Sequence, residues 1–206
     1  MRNTIKKCIK KIHALTIHTN RVSTISNILV QNIPTDVASV LDIGCGDGLI
    51  SKEINTSLNK LSYTGIDVMD RPTCYINYVS FDGVNIPFKE QEFDAVQLID
   101  VLHHTDDIQK VLENALKYTN KYVIIKDHIY LSKFDFLILK FMDWVGNAPH
   151  GVKVIYNFQK ETTWDNYFSK LSLKKVYFNK QIKLYPWYVN WIFGRELHFI
   201  AILKKN

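Results

Sequence analysis

The nonapeptide VLDIGCGDG at residues 40–48 constrains the fold of this chain more than any other segment. It overlaps the apolar run Ser39–Ile43, which predicts a buried parallel strand. Three glycines alternate with other residues in the turn that follows, and residues 48–58 carry apolar side chains at helical spacing. Glycine permits a sharp turn and a close approach of the backbone to a ligand at a helix N-terminus. The segment therefore predicts a strand–turn–helix unit with a ligand at the turn.

Strand and helix patterns alternate through the next eighty residues. Such alternation predicts an α/β fold with a mostly parallel sheet, helices on both faces and ligands at the carboxyl ends of the strands. The clearest helix is predicted at Asp106–Tyr118, with Thr105 as its N-cap. A helix is also predicted at Val22–Ile33. The remaining strands are predicted at Ser62–Asp67, Ile76–Phe81, Phe93–Ile99, Tyr122–Lys126, Lys174–Asn179 and Leu197–Leu203.

The net charge of +6 is concentrated at the N-terminus. Residues 1–35 contain six basic residues and no acidic one, which leaves 20 basic against 20 acidic residues in 36–206. Because Ile5, Ile9, Ile12 and Leu15 recur at helical spacing between lysines, this segment predicts a basic amphipathic helix. We expect residues 1–35 to form a basic helical segment ahead of one domain at 36–206. Contact of residues 1–20 with a membrane surface is expected, and a nucleic-acid partner is not.

Composition narrows the class of protein further. With 206 residues, 47% of them apolar, the chain can bury one substantial core. The three cysteines, Cys8, Cys45 and Cys74, are too dispersed for a metal site and odd in number for a disulfide framework. No metal is expected, and a reducing, cytoplasmic setting follows as the default. The sequence shows neither a secretory signal nor a spanning apolar run, so we expect a cytoplasmic protein, peripheral at most to a membrane.

Aromatic residues are concentrated towards the C-terminus. The part from Tyr130 to Asn206 holds 18 of the 26 aromatic residues and all four tryptophans. The helical stripe between Phe134 and Val145 predicts an apolar helix. The stretch Tyr185–Phe193 can cover a substrate, belong to the core, form a dimer interface or contact a membrane edge, and the sequence leaves these alternatives open.

Two details of the glycine turn bear on the type of ligand. The spacing is G-x-G-x-G, whereas dinucleotide sites have G-x-G-x-x-G. Asp42 lies within the turn, where a carboxylate would repel a pyrophosphate but would suit a cationic, amino-bearing ligand. Both details disfavour a nicotinamide-dependent oxidoreductase.

Over about residues 38–128 the chain resembles the class I S-adenosylmethionine-dependent methyltransferases. The nonapeptide is similar to the first motif of that family, and three further segments resemble its later motifs in the same order. They are Gly65–Val68, Phe81–Gly83 with the following IPF, and Phe93–Val96 through His104. The resemblance implies a Rossmann-like, seven-stranded, mostly parallel sheet with an antiparallel last strand, and S-adenosylmethionine as cofactor.

The resemblance also implies which residues would bind the cofactor. Asp67 would accept hydrogen bonds from both ribose hydroxyls, and Asp42 would lie near the amino-acid end. The alternative for both acids is that they cap neighbouring helices. The other residues implied are Gly44, Cys45 and Gly46 in the turn, Val68 directly after Asp67, Phe81, Asp82 and Gly83 around the adenine, and Ile99 and His103 beside the methionine portion.

A base for the acceptor can be sought among four residues: His104, Asp127, His128 and His150. His103 and His104 can instead be packing residues, and His150 can lie in a surface turn. The predicted function is methyl transfer, by in-line displacement, to a small apolar or aromatic acceptor. The alternatives are a non-catalytic S-adenosylmethionine-binding module that acts through a protein partner, and a nucleic-acid methyltransferase. The adenine-methylating signature of the latter is absent after the fourth strand.

Overall fold

A computed structural model of the chain describes residues 18–69, 73–147 and 155–206. Its centre is one seven-stranded sheet in the order β3-β2-β1-β4-β5-β7-β6. The strands are β1 (Ser39–Ile43), β2 (Ser62–Asp67), β3 (Asn77–Ser80), β4 (Phe93–Ile99), β5 (Thr119–His128), β6 (Leu173–Asn179) and β7 (His198–Lys205). The helices are α1 (18–32), α2 (Leu49–Leu58), α3 (Ile108–Leu116), α4 (Lys133–Asn147), α5 (Glu161–Lys170) and α6 (Trp187–Phe193), with a 3-10 turn at Leu102–His104.

The strand pairing matches the predicted architecture. β1 pairs in parallel with both β2 and β4, and β4 pairs in parallel with β5. β7 runs antiparallel to its neighbours β5 and β6. The chain reverses its direction of winding between β1 and β4, so a crevice for a ligand opens beyond the carboxyl ends of these strands.

Successive residues of the central strands supply two cores, one on each face of the sheet. Leu41 and Ile125 pack with Leu112 of α3 on one face. The preceding residues Val40 and Ile124 pack on the other face. Because side chains of a strand alternate between faces, a sheet covered on both sides requires nearly continuous apolar strands, as these are.

Several predicted boundaries differ from the structure. β5 extends beyond the predicted Tyr122–Lys126, because Asp127 and His128 still pair with β7. The N-cap of α3 is Asp107 and not Thr105, since the Asp107 carboxylate accepts the backbone N–H of Lys110 at 3.0 Å. The Thr105 hydroxyl instead donates to the carbonyl of Leu102 at 2.7 Å. Helix α5 was not predicted, and its Trp164 is fully buried.

Two of the predictions concern residues outside the described ranges. The basic amphipathic helix expected from residue 5 and the histidine at position 150 both belong to that part of the sequence. Within the described ranges, no helix combines the length and the apolar character that crossing a membrane requires.

Candidate functional site

A cavity of about 930 Å³ lies at the carboxyl ends of β1, β2 and β4. Gly44 and Asp67 contribute to its wall from β1 and β2, and Asp100 contributes from the end of β4. His104 lines it from the 3-10 turn, and residues of α3 close another side. The cavity therefore occupies the crevice that the strand order creates.

The glycine turn after β1 is held in a conformation that ordinary residues resist. Gly44 has φ +71°, and a Cβ at this position would lie 2.5 Å from Cγ2 of Val101. Gly46 has φ +60°, and its N–H donates a hydrogen bond to Oδ2 of Asp67 at 2.8 Å. The N–H of Gly44 donates to the carbonyl of Ile66 at 2.7 Å. The turn is thereby fixed to the end of β2, and its bare backbone faces the cavity.

Asp67 is buried, with 5% of its surface exposed, yet it lines the cavity. Its second carboxylate oxygen, Oδ1, accepts the N–H of Met69 at 2.8 Å. A carboxylate oxygen can accept more than one hydrogen bond. The local backbone thus orients a carboxylate that suits two adjacent hydroxyl groups.

Asp42 lies beneath the turn and is not part of the cavity wall. Its Oδ2 accepts the hydroxyl of Ser51 at 2.6 Å, and Nε2 of Gln97 donates to that hydroxyl oxygen at 2.9 Å. Burial raises the pKa of Asp42 to about 6, although these hydrogen bonds oppose the shift. Through Ser51, Asp42 is bonded to α2, and its carboxylate supports the turn from the side away from the cavity.

The other residues expected to bind the cofactor divide into two groups. Val68, Phe81 and Gly83 line the cavity as expected, together with Gly44 and Asp67. Asp82 is exposed beside it, and its carboxylate accepts the N–H groups of Val84 and Asn85, both at 2.7 Å. These hydrogen bonds lower the pKa of Asp82. The residues that do not line the cavity are Asp42, Cys45, Gly46, Asp82, Ile99 and His103.

His104 is the histidine of the cavity wall, and 20% of its side chain is exposed. Its Nε2 lies 3.6 Å from Oδ1 of Asp143, on the inner face of α4. Burial and the positive charge of His103 lower the pKa of His104. At neutral pH the ring is therefore uncharged. With Nε2 directed at the Asp143 carboxylate, the lone pair falls on Nδ1, which is buried and has no hydrogen-bond partner among the described residues.

Behind His104 lies a buried ion pair between His103 and Asp127. Nδ1 of His103 donates to Oδ1 of Asp127 at 2.8 Å, and Nε2 of His103 lies 3.6 Å from Oδ1 of Asp143. Burial opposes the charge of His103, but the Asp127 and Asp143 carboxylates raise its pKa to about 10. The carboxylates and imidazoles thus alternate from Asp127 through His103 and Asp143 to His104 at the cavity.

Asp127 and His128 do not reach the cavity wall. Asp127 is fully buried and also accepts the N–H of Leu102 at 3.1 Å. His128 is 9% exposed, and burial, together with Lys126, lowers its pKa to about 4. Both residues are therefore placed to orient other groups.

A second, partly buried charge cluster centres on Asp100. Its carboxylate pairs with Nζ of Lys126 at 2.5 Å and with the guanidinium of Arg21 from α1. Burial disfavours the Asp100 charge, but Lys126 and Arg21 hold the pKa of Asp100 well below its usual range. Asp100 has φ +56° and lines the cavity. A positive φ outside glycine is often found at functional sites.

Sequence reasoning missed Asp100, Lys126, Arg21 and Asp143. The first two left a signal, because an acid directly follows the apolar strand β4 and a lysine interrupts the apolar run of β5. A charged residue inside a buried strand requires a partner. Arg21 and Asp143 left no such signal in the sequence, since only the packing of α1 and α4 brings them to the site.

Two groups of described side chains have the composition of a cation site. They are Asp100, His103 and His128, and His103, His104 and Asp143, with ligand atoms within 4.8 Å of one another in each group. Both groups depend on His103, whose raised pKa keeps it protonated at neutral pH. An imidazolium has no lone pair for a metal ion. The protonated pair with Asp127 therefore competes with a cation at either position.

The residues of the cavity fit an adenosyl compound. Asp67 offers a carboxylate for the ribose hydroxyls, and Phe81 and Val68 offer apolar surface for a flat ring. Gly44 brings the backbone of the turn to the cavity wall, and a Cβ there would lie 2.5 Å from Cγ2 of Val101. The acid, the bare backbone and the apolar surface lie in one cavity, as the resemblance implies.

Comparisons with known proteins agree with this geometry. The family model of the methyltransferase domain matches residues 6–177. No curated protein sequence matches the chain. Three solved structures show the same fold. A chain of the Haloferax volcanii complex that contains the Trm112 methyltransferase activator aligns with TM-score 0.66 and 11% identity, covering 90% of both chains.

The plantazolicin methyltransferase BpumL, crystallised with a triazolic desmethylPZN analogue and SAH, aligns with TM-score 0.62 and 14% identity over 99% of this chain and 90% of that one. An S-adenosylmethionine-dependent methyltransferase from Mesorhizobium loti aligns with TM-score 0.60 and 12% identity, over 85% of this chain and 95% of that one. The family match covers most of the sequence, and the fold and the cavity agree with it. The chain therefore belongs to the methyltransferase domain family and is a class I enzyme whose cofactor is S-adenosylmethionine.

Proposed function

We propose that the enzyme methylates a small apolar or aromatic acceptor bound in the cavity beside His104, and that His104 accepts the proton of the acceptor. The main support for this proposal is that His104 lies in the cavity wall. Of the three described residues expected as bases, Asp127, His128 and His104, only His104 lines the cavity. Its lowered pKa supports the role of a proton acceptor at neutral pH.

The size and lining of the cavity support the class of acceptor. Small-molecule sites have volumes of roughly 300–1,000 Å³. A volume of about 930 Å³ is at the upper end of that range, which suits a cofactor together with a small acceptor. Val101, Val111 and Ile86 add apolar wall to that of Val68 and Phe81. An acceptor with a ring or a short apolar chain would bury its surface there.

Each residue has a separate task in this mechanism. Bound S-adenosylmethionine supplies an electrophilic methyl group on a sulfonium with a neutral leaving group. Asp67 and the glycine turn hold the adenosyl part and so fix the line of attack, which is where most of the rate enhancement arises. Asp143 lies against Nε2 of His104 and orients its ring. The His103–Asp127 pair holds Asp143 in turn, so Asp143, His103 and Asp127 are positioning residues.

A structural neighbour gives independent support for a ring-bearing acceptor. BpumL is crystallised with triazolic and pentazolic desmethylPZN analogues as well as with SAH. It shares the fold of this chain at TM-score 0.62. A cavity on this fold can therefore hold a cofactor product and a heteroaromatic ligand together.

The test compares His104→Gln with His18→Gln, an exposed histidine on α1. Purified protein is assayed for transfer of a labelled methyl group to phenols, azoles and amphiphilic acids, and for binding of S-adenosylhomocysteine by calorimetry. We expect His104→Gln to lower kcat about a hundredfold or more for an acceptor that must lose a proton, with cofactor affinity unchanged. Full turnover by this variant would remove His104 as the base. Labelling of nucleic acid, and not of small acceptors, would contradict the proposed substrate class.

A further inference from the structure

The outer face of α4 carries a continuous apolar surface. Its side chains are between 51% and 61% exposed, although they are large and apolar. They lie at helical spacing and therefore form one stripe along the helix. We define the outer face of α4 as Phe134, Leu137, Phe141, Trp144 and Val145.

The opposite face of the same helix is already buried. Ile138 and Leu139 pack there against Phe158 and Leu197. Helix α4 is thus apolar on both sides, which in proteins indicates a helix with a second partner. A large exposed apolar surface commonly marks a site of protein or membrane contact.

The charges of α4 indicate what that partner is. Among the α4 side chains that the structure describes, both acids, Asp135 and Asp143, are buried on the inner side, whereas Lys133 and Lys140 are exposed. Arg195 lies 5.7 Å from the ring of Phe134, but its guanidinium pairs with Oδ1 of Asp135 at 3.5 Å, so the exposed cations of α4 itself are Lys133 and Lys140. Lysine and arginine beside an apolar face with tryptophan and phenylalanine are typical of helices that lie in a membrane interface.

The neighbouring helix α6 also exposes a tryptophan. Trp191 of α6 is 71% exposed, and α6 packs against α4. Tryptophan is enriched at membrane–water interfaces because its ring has an apolar body and a polar N–H.

We propose that the outer face of α4 docks on the surface of an anionic lipid membrane. The inner side of the same helix contacts the cavity wall, since Asp143 lies 3.6 Å from His104. Helix α4 is about 10 Å across, so His104 would lie about one helix diameter from the lipid. This last step rests on the proposed function: the methyl acceptor would be an amphiphile that enters the cavity from the membrane.

Vesicle flotation of the full chain tests the docking and requires no turnover. The probes are vesicles of phosphatidylcholine alone and of phosphatidylcholine mixed with phosphatidylglycerol. The test variant is Leu137→Glu with Trp144→Glu. The matched control is Val176→Glu, an equally exposed apolar residue on β6. We expect the test variant to lose at least about tenfold in bound fraction on the mixed vesicles, because two large apolar side chains no longer insert. The control is expected to bind like the parent protein.

Charge reversal separates the lysines of α4 from those of the N-terminus. Lys133→Glu with Lys140→Glu is expected to weaken binding to mixed vesicles several-fold and to leave binding to neutral vesicles unchanged. Unchanged flotation of the Leu137/Trp144 variant overturns the proposal. The proposal is also overturned if charge reversal of Lys6 and Lys10 abolishes flotation and none of the α4 substitutions does. A dimer in light scattering that dissociates in the Leu137/Trp144 variant would assign the face to a second copy, and also overturns it. Binding of S-adenosylhomocysteine, measured on the same samples, shows whether the catalytic site is intact in each variant.

Discussion

The backbone N–H of Gly46 and the carboxylate of Asp67 are joined by a hydrogen bond of 2.8 Å, although 21 residues separate them in sequence. This bond holds the turn after β1 against the end of β2 and aims the acid at the cavity. The two features that most strongly suggested an adenosyl ligand are therefore one structural unit. A change at Asp67 is expected to alter both the ligand contact and the support of the turn.

Asp67→Asn is expected to weaken binding of S-adenosylhomocysteine by about tenfold to a hundredfold, because hydrogen bonds to a charged acceptor contribute about 1.5–3 kcal/mol. The amide retains one oxygen to accept a hydrogen bond, so the fold should persist. Titration calorimetry measures the affinity, and thermal unfolding checks the fold. Asp47→Asn is the control, since Asp47 lies in the same turn, accepts the N–H of Leu49 at 3.0 Å and does not line the cavity. Equal affinities of both variants would remove Asp67 from the cofactor site.

Asp42→Asn is expected to change how stability depends on pH. The pKa of Asp42 is raised from 3.8 to about 6 in the folded state, so its contribution is most favourable below pH 3.8 and is lost as the pH rises through about 6. The difference of roughly two pKa units corresponds to about 3 kcal/mol. The asparagine variant should therefore gain stability relative to the parent between pH 4 and pH 6, and the gain should level off above that range.

Urea unfolding of the parent and the Asp42 variant at a series of pH values measures this gain. The exposed Asp106 provides the control substitution Asp106→Asn. A stability difference that does not vary with pH would show that Asp42 is not the buried, proton-binding acid that its surroundings indicate.

His103→Gln is expected to cost about 3–5 kcal/mol near pH 6, because it leaves the buried Asp127 without its charged partner. The folded-state pKa of His103 is about 10 against 6.5 in a free side chain. Its stabilisation is therefore fully present below pH 6.5 and is lost as the pH rises through about 10. Denaturant unfolding at several pH values should show the gap between parent and variant narrowing towards pH 10. A gap that widens with pH would mean that His103 is neutral in the folded protein.

Removal of metal ions is expected to leave methyl transfer unchanged. Both described groups of potential ligands include His103, and a protonated imidazole does not bind a cation. Extensive dialysis against EDTA, followed by elemental analysis and a turnover assay, measures the effect. Activity that is lost with the chelator and restored by zinc or magnesium would show that a cation displaces the proton of His103.

The sequence predicted those parts of the site that depend on residues close together in the chain. The glycine turn, the acid at the end of β2 and the segment at Phe81–Gly83 each follow a strand directly, and the strands were recognisable as short apolar runs. Gly44, Asp67, Val68, Phe81 and Gly83 accordingly line the cavity. Asp42 was expected near the ligand, but it does not line the cavity. A residue inside a strand points to one face of the sheet only, and on that face Asp42 contacts Ser51.

Local pattern by itself therefore determined the strand–turn–helix unit and the fold class, since periodicity and glycine positions act over a few residues. The cofactor was implied by the resemblance of the four motifs to the methyltransferase family. Tertiary structure decided the rest of the site. His104 is joined to Asp143 across 39 residues, and Asp100 is joined to Arg21 across 79. It also decided which side of α4 is buried, because Ile138 and Phe141 look alike in a helical pattern. Ionic contacts and burial depend on distances in space, and these are set only when helices pack on the sheet.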